Sequence, residues 1–198
     1  MRQIARSCMS TQGSGASSIG NRVVRGQAIP RAGSQADWLA IGRALNADVR
    51  TQYGIGPTIH TVAVGWTSIP GLQAVRFVGA SRRIRESSWL PTPTPHVDAP
   101  RSGSQFVDHA EQDVVNGFID AVESGQRIRI ECETLWIYVT HQKGPCTACV
   151  QGLANRLAAP GILAQLSLRY PGLLIQLTWE TAAGKLGYLQ VENGERLQ

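Results

Sequence analysis

The amino-acid sequence predicts an α/β sandwich, and three observations carry that prediction. Apolar residues change along the chain between helical spacing and the short continuous or alternating runs of strands. The segment "TLWIYVT" at 134–140 is a nearly unbroken apolar run, as a central strand covered on both faces requires. Two strand-like segments near the end are separated by only the seven residues "TAAGKLG", 181–187. A parallel crossover needs a dozen or more, so those strands, if neighbours, must be antiparallel.

The elements follow in chain order. Residues 1–35 are rich in Ser, Gly, Arg and Gln, with few large apolar residues, and are expected to be a flexible basic arm or linker. Residues 36–56 place Trp38, Leu39, Ile41, Leu45 and Val49 near helical spacing, with Gly54 to end the pattern, and predict an amphipathic helix. "TIHTVAVGW" and "AVRFVGAS", joined through a Pro-Gly turn, predict a β-hairpin. "WLPTPTPHVDAPRSGSQ" carries four prolines and predicts a long surface connection. From Asp108 to Glu123, Val114, Val115, Phe118, Ile119 and Val122 form one stripe, and Ser124-Gly125 stops it, so this is a helix with one buried face. After the central strand a second helix is expected from Pro145 to about Ala159, with Val150, Leu153 and Leu157 inward and Pro160-Gly161 as its stop. "LLIQLTWE" and "YLQVE" supply the last two strands.

Composition sets the bounds. A chain of 198 residues is long enough to bury a real core in one domain. Its longest apolar runs fall far short of a bilayer crossing, and "MRQIARSCMSTQGSGASS" lacks the apolar region of a secretory signal, so a soluble chain without a cleavable export signal is expected. The net charge of +5 is uneven: residues 1–101 carry 12 Lys/Arg against 4 Asp/Glu, and residues 102–198 carry 7 against 10. A basic front half suits a polyanionic partner, although a basic tail also serves as solubilising surface. Of the cysteines Cys8, Cys132, Cys146 and Cys149, the last two stand at C-x-x-C spacing, which fits metal or redox chemistry better than a disulfide scaffold.

Two fragments carry the chemistry. "FVDHAEQDVVNGF" puts His109 and Glu111 at a helix start, and "KGPCTACVQGL" puts Cys146 and Cys149 at the next one. One His and two Cys form a three-ligand set of the kind that holds Zn²⁺ at catalytic centres with a fourth position left for water. In mid-helix His109 and Glu111 would point to nearly opposite sides; near an N-terminus both can serve one centre. The fragments also have plainer readings. Asp108-x-x-Glu111 fits a capping box, and an isolated C-x-x-C arises in redox pairs, half zinc sites and by chance. The ordered conjunction, H-A-E opening a helix, a strand, then P-C-x-x-C opening another, is far more specific than either fragment.

In that conjunction the sequence resembles the cytidine deaminase-like superfamily, whose nucleobase deaminases carry H-x-E followed by P-C-x-x-C. The resemblance covers roughly residues 57–192. It implies a three-layer α/β/α sandwich around a mixed five-stranded sheet with the last two strands antiparallel, and a zinc deaminase domain over 57–198. His as first ligand, combined with the short 181–187 connection, looks like the deaminase domains of bacterial polymorphic toxins. By that resemblance His109, Cys146 and Cys149 hold one catalytic Zn²⁺, and Glu111 moves protons. Water activated by the metal adds at C4 of cytosine and uracil results. DNA, single- or double-stranded, is the favoured substrate, with RNA or adenine as alternatives. A cognate immunity protein is the implied partner of a monomeric effector that is secreted or delivered by contact and acts in the target-cell cytoplasm.

Several residues are candidates for substrate contact. Arg82, Arg83 and Arg85, with Arg76, follow or sit in the second hairpin strand, and Trp89 could stack on a base; a solvated basic loop with a core Trp89 is the equal alternative. His141 and Lys143 lie between the central strand and the cysteines. Cys132 is expected to be a buried bystander. Two other function classes stay open: a non-catalytic module whose zinc is closed by Cys132 or His141, and a Cys146-Cys149 redox pair.

Overall fold

A computed structural model describes residues 34–56, 61–88, 90–100, 109–124, 130–140, 144–155 and 157–197. Trp89, His141, Lys143, Asp108, nearly all of the 1–35 arm and the side chain of Arg83 lie outside the described residues. Among the described residues no helix is long and apolar enough to cross a membrane.

The element order is α1 (Gln35–Gln52), β1 (Val62–Thr67), β2 (Phe77–Ala80), α2 (Arg82–Ser88), α3 (Ala110–Ser124), β3 (Thr134–Thr140), α4 (Thr147–Val150), α5 (Ile162–Arg169), β4 (Leu174–Glu180), β5 (Leu186–Glu192) and β6 (Glu195–Arg196). The fold is mixed α/β. Its strands form one mixed sheet in the order β2-β1-β3-β4-β5-β6. β3 and β4 are parallel, as a crossover carrying α4 and α5 allows. β4 and β5 are antiparallel with Ile175 opposite Val191 and Glu180 opposite Leu186, as the short connection dictates. β6, only two residues long, pairs with the end of β5 and was not expected.

Alternation along the strands divides the core into two clusters. Leu135, Ile137 and Val139 of β3 face one side with Ile175, Leu177, Leu189 and the apolar stripe of α3, completed by Ile162, Leu163 and Leu166 of α5. Trp136 and Tyr138 face the other, with Val62, Val64 and Trp66 of β1 under Leu45 and Val49 of α1. All five predicted stripe residues of α3 are buried. α1 begins with a capping box between Ser34 and Asp37. It presses so close to β3 that a Cβ on Gly42 would stand 2.5 Å from Tyr138 Cβ. The helix that the sequence sets apart from the 57–198 unit is therefore seated on that unit's sheet.

Four local expectations are corrected. The helix expected over 145–159 is a single turn: Gln151 already leaves helical geometry with a ψ of 144°, and Gly152 follows with a φ of +83°. Leu157 is consequently 96% exposed instead of inward. Pro160-Gly161 starts a helix where a stop was expected: Gly161 is the N-cap of α5. Arg82–Ser88, for which a solvated basic loop was one of two equal readings, forms α2. The proline-rich connection is only partly surface, since Leu90 and Val97 are buried. It is laced to α3 by the Asn116 side chain, whose Oδ1 accepts from His96 N–H and Val97 N–H, each at 3.0 Å, and by Asp120, whose carboxylate meets His96 Nε2 at 2.8 Å.

Candidate metal centre

Two chain turns meet at the end of the sheet where β3 finishes. The first is the start of α3. The carbonyl of His109 accepts from Gln112 N–H at 3.0 Å and Asp113 N–H at 3.3 Å, so His109 occupies the capping position and Ala110 is the first helical residue. Glu111 is then the second residue of the helix. A capping box from Asp108 would need Glu111 to be the third, so that plainer reading does not fit the backbone.

The second turn is α4. Cys146 caps it with its own sulfur, which accepts from Cys149 N–H at 3.4 Å. That bond holds both sulfurs on one side, 3.3 Å apart. The turn is backed by the N-cap of α5, where a Cβ on Gly161 would overlap the Ala148 carbonyl oxygen.

These turns bring together His109, Cys146 and Cys149. His109 Nδ1 lies 3.0 Å from Cys146 Sγ. All three donor atoms lie within 4.8 Å of one another, and the group could hold a metal ion. His109 and Cys149 are buried and Cys146 is half-buried, so the group opens outward on the Cys146 side. Glu111 is 4% exposed, and its carboxylate is among the groups that push the Cys149 thiol up.

The electrostatics are those of a cluster short of positive charge. The hydrogen bond from Cys149, followed by that from His109, draws the Cys146 thiol down to about 4, so it is a thiolate at neutral pH. The same Cys146 sulfur, then burial, pushes Cys149 well above an ordinary thiol. Burial raises the Glu111 carboxyl, with the Cys146 charge adding to it. A cation at the centre would relieve all three at once.

The remaining sequence candidates fare differently. Arg85 turns inward: its Nη2 lies 3.1 Å from Asp113 Oδ1, and the two side chains are 16% and 6% exposed. Arg82 is paired with Glu86 at 2.8 Å on the surface, and Arg76 reaches Asp48 at 3.4 Å beyond the far end of β2. The arginines thus form no shared patch among the described residues. Cys132, expected to be buried, is exposed with a φ of +59°. It precedes β3, and the strand's seven residues put it roughly 20 Å from the cysteine turn, so it cannot close the metal's coordination.

Sequence reasoning missed two residues beside the centre. Asp113, buried beneath α3, occupies a position where the helical pattern calls for an apolar residue, and nothing in the pattern marks it. Trp179 of β4 packs its ring between Gly144 and Gly187, with Nε1 2.7 Å from where a Gly144 Cβ would stand. Gly144, at φ +92°, was the legible half of that contact.

Comparison of the chain with known protein families, curated proteins and solved structures finds no match.

Proposed function

We propose that this chain is a zinc-dependent hydrolytic deaminase that converts cytosine to uracil in DNA, built as a cytidine deaminase-like α/β/α sandwich. The observation that carries the proposal is the meeting of His109, Cys146 and Cys149 within 4.8 Å, with the buried carboxylate of Glu111 beside them. The donor set suits zinc. Tetrahedral zinc with ordinary bond lengths separates two sulfurs by about 3.8 Å and a sulfur from a nitrogen by about 3.6 Å. The separations of 3.3 Å and 3.0 Å are only about half an ångström shorter. Mixed imidazole and thiolate donors favour zinc over magnesium or calcium. Bound there, zinc supplies the Lewis acidity that makes water nucleophilic near neutral pH.

The protein's own groups do the rest. His109, Cys146 and Cys149 hold the ion on the outward side of the α3 and α4 starts. Glu111 takes a proton from the attacking water and delivers it to N3 of the ring, and then carries the second proton to the departing amine. Water adds at C4, the bond from C4 to the exocyclic nitrogen breaks, and ammonia and uracil leave. Glu111 is buried at the start of α3 and its carboxylate stands beside the three donors, the position that a proton shuttle to the ring needs. The net charge of +5 favours a polyanionic substrate, and a base must leave its stack to reach the centre.

Incubating the zinc-loaded protein with defined single- and double-stranded DNA and RNA, followed by sequencing, is the test. Cytosine-to-thymine changes in DNA, absent in Glu111→Ala, are expected. Conversions confined to RNA or to adenine would move the substrate to the alternatives, and no conversion at full zinc occupancy would remove the proposal. As a toxin effector, the chain would have a cognate immunity protein as partner and act in the cytoplasm of a target cell.

A further inference from the structure

The turn that carries His109 and Glu111 is itself held from beneath. Gly79 of β2 approaches α3 so closely that an added Cβ would overlap the Ala110 carbonyl oxygen and stand 2.8 Å from Asp113 Cβ. Next to it, Ala80 N–H donates to Asp113 Oδ2 at 3.2 Å. On the other side Arg85 of α2 brings Nη2 to 3.1 Å from Asp113 Oδ1. Asp113 also donates its own backbone N–H to the carbonyl of His109 at 3.3 Å. One residue thereby joins the sheet edge, α2 and the peptide of the histidine.

Stability alone gives little reason for this arrangement. A buried ion pair recovers its desolvation cost only with good geometry, and apolar replacements of similar size are often as stable or more so. A carboxylate held by a backbone N–H and a guanidinium supplies direction that apolar packing lacks. Here it fixes the first turn of α3 against β2, at the residues between His109 and Glu111.

We infer that Asp113 and Arg85 are positioning residues for the metal centre: the pair sets the height of the α3 start, and so the reach of His109 towards the two cysteines. Arg85 is in this role a half-buried clamp and not a substrate contact. The inference rests on the reading of His109, Cys146 and Cys149 as ligands, and is independent of the reaction that the centre performs.

The test uses the full chain and two readouts, zinc affinity by chelator competition and the absorption spectrum of the cobalt(II) form. Asp113→Asn and Arg85→Met are expected to weaken zinc about tenfold or more, as loss of outer partners does elsewhere. Their cobalt ligand-field bands should shift while the sulfur-to-metal charge-transfer band remains. Arg43→Met, which breaks the pair with Glu180 at 2.9 Å on the opposite face of the sheet, is the control for a charge pair lost away from the centre and should leave both readouts unchanged. Arg85→Lys should recover part of the affinity. Wild-type affinity and spectrum in Asp113→Asn, or changes no larger than those of Arg43→Met, would overturn the inference. If Asp113→Asn does not fold, the Arg85 variants make the same comparison from the other end of the pair. A chain that binds zinc but deaminates nothing leaves the inference standing; a chain that binds no zinc ends both it and the proposed function.

Discussion

His109 Nδ1 and Cys146 Sγ lie 3.0 Å apart although 37 positions separate them in the chain. Neither turn can make the centre alone, so metal binding reads out the whole arrangement. About one equivalent of zinc is expected after gel filtration, measured by elemental analysis. His109→Ala, Cys146→Ser and Cys149→Ser should each lose it, whereas Cys132→Ser should retain it.

Glu111 should be separable from the metal. Glu111→Gln is expected to bind zinc normally and to lose about 10²-fold or more in deamination rate, the usual worth of a general acid–base group. Single-turnover assays at matched zinc content check this. Full activity in the variant would remove Glu111 from the proton path.

The same residue gives a pH dependence in the metal-free protein. Burial raises the folded-state pKa of Glu111, so between the unfolded value and the folded one the native chain binds more protons than the unfolded chain. Stability from this group is complete below about pH 4.3 and falls as pH rises through the folded value. Glu111→Gln should therefore gain melting temperature over wild type at neutral pH, and the gain should vanish in acid. Melting curves after chelation, from acid to neutral pH, measure the difference.

Cys146, drawn down to about 4, should react as a thiolate well below neutrality once metal is removed. Its alkylation by iodoacetamide, followed by peptide mass spectrometry, should stay nearly constant from neutral pH into mild acid. An ordinary thiol would slow about tenfold per pH unit below its pKa. Cys149, raised and fully buried, should stay unmodified under the same conditions.

The strap over α3 makes a prediction about stability alone. Asn116→Ala leaves the N–H groups of His96 and Val97 without their acceptor, at a cost of about 2 to 4 kcal/mol. Urea denaturation should show that loss with zinc stoichiometry unchanged.

Periodicity made the larger elements legible. β3 and the stripe of α3 are repetitive enough that spacing alone identifies their buried faces, and the length of 181–187 fixed the direction of β5. The grouping of His109, Cys146 and Cys149 was legible for a different reason: few residue types bind soft metal ions, and each of the two fragments contains them at a helix start. The helix over 145–159 was misread because its apolar spacing continues past Gly152, whereas its backbone does not. Apolar spacing records what a side chain can bury; it says nothing of a left-handed residue or of the second start at Gly161. Asp113 and Asn116 were illegible because buried polar residues are justified only by partners distant in sequence, Arg85 and the strap. Cys132 shows the converse, since a position beside a buried strand conveys nothing about its own exposure.

The span between His109 and Cys146 encloses α3 and the whole of β3. An ion gripping both ends would therefore act as a removable cross-link, narrowing the freedom of the unfolded chain as well as completing the folded one. A protein built this way would be toughened by the zinc supply of its surroundings, and its melting temperature would serve as a gauge of that supply.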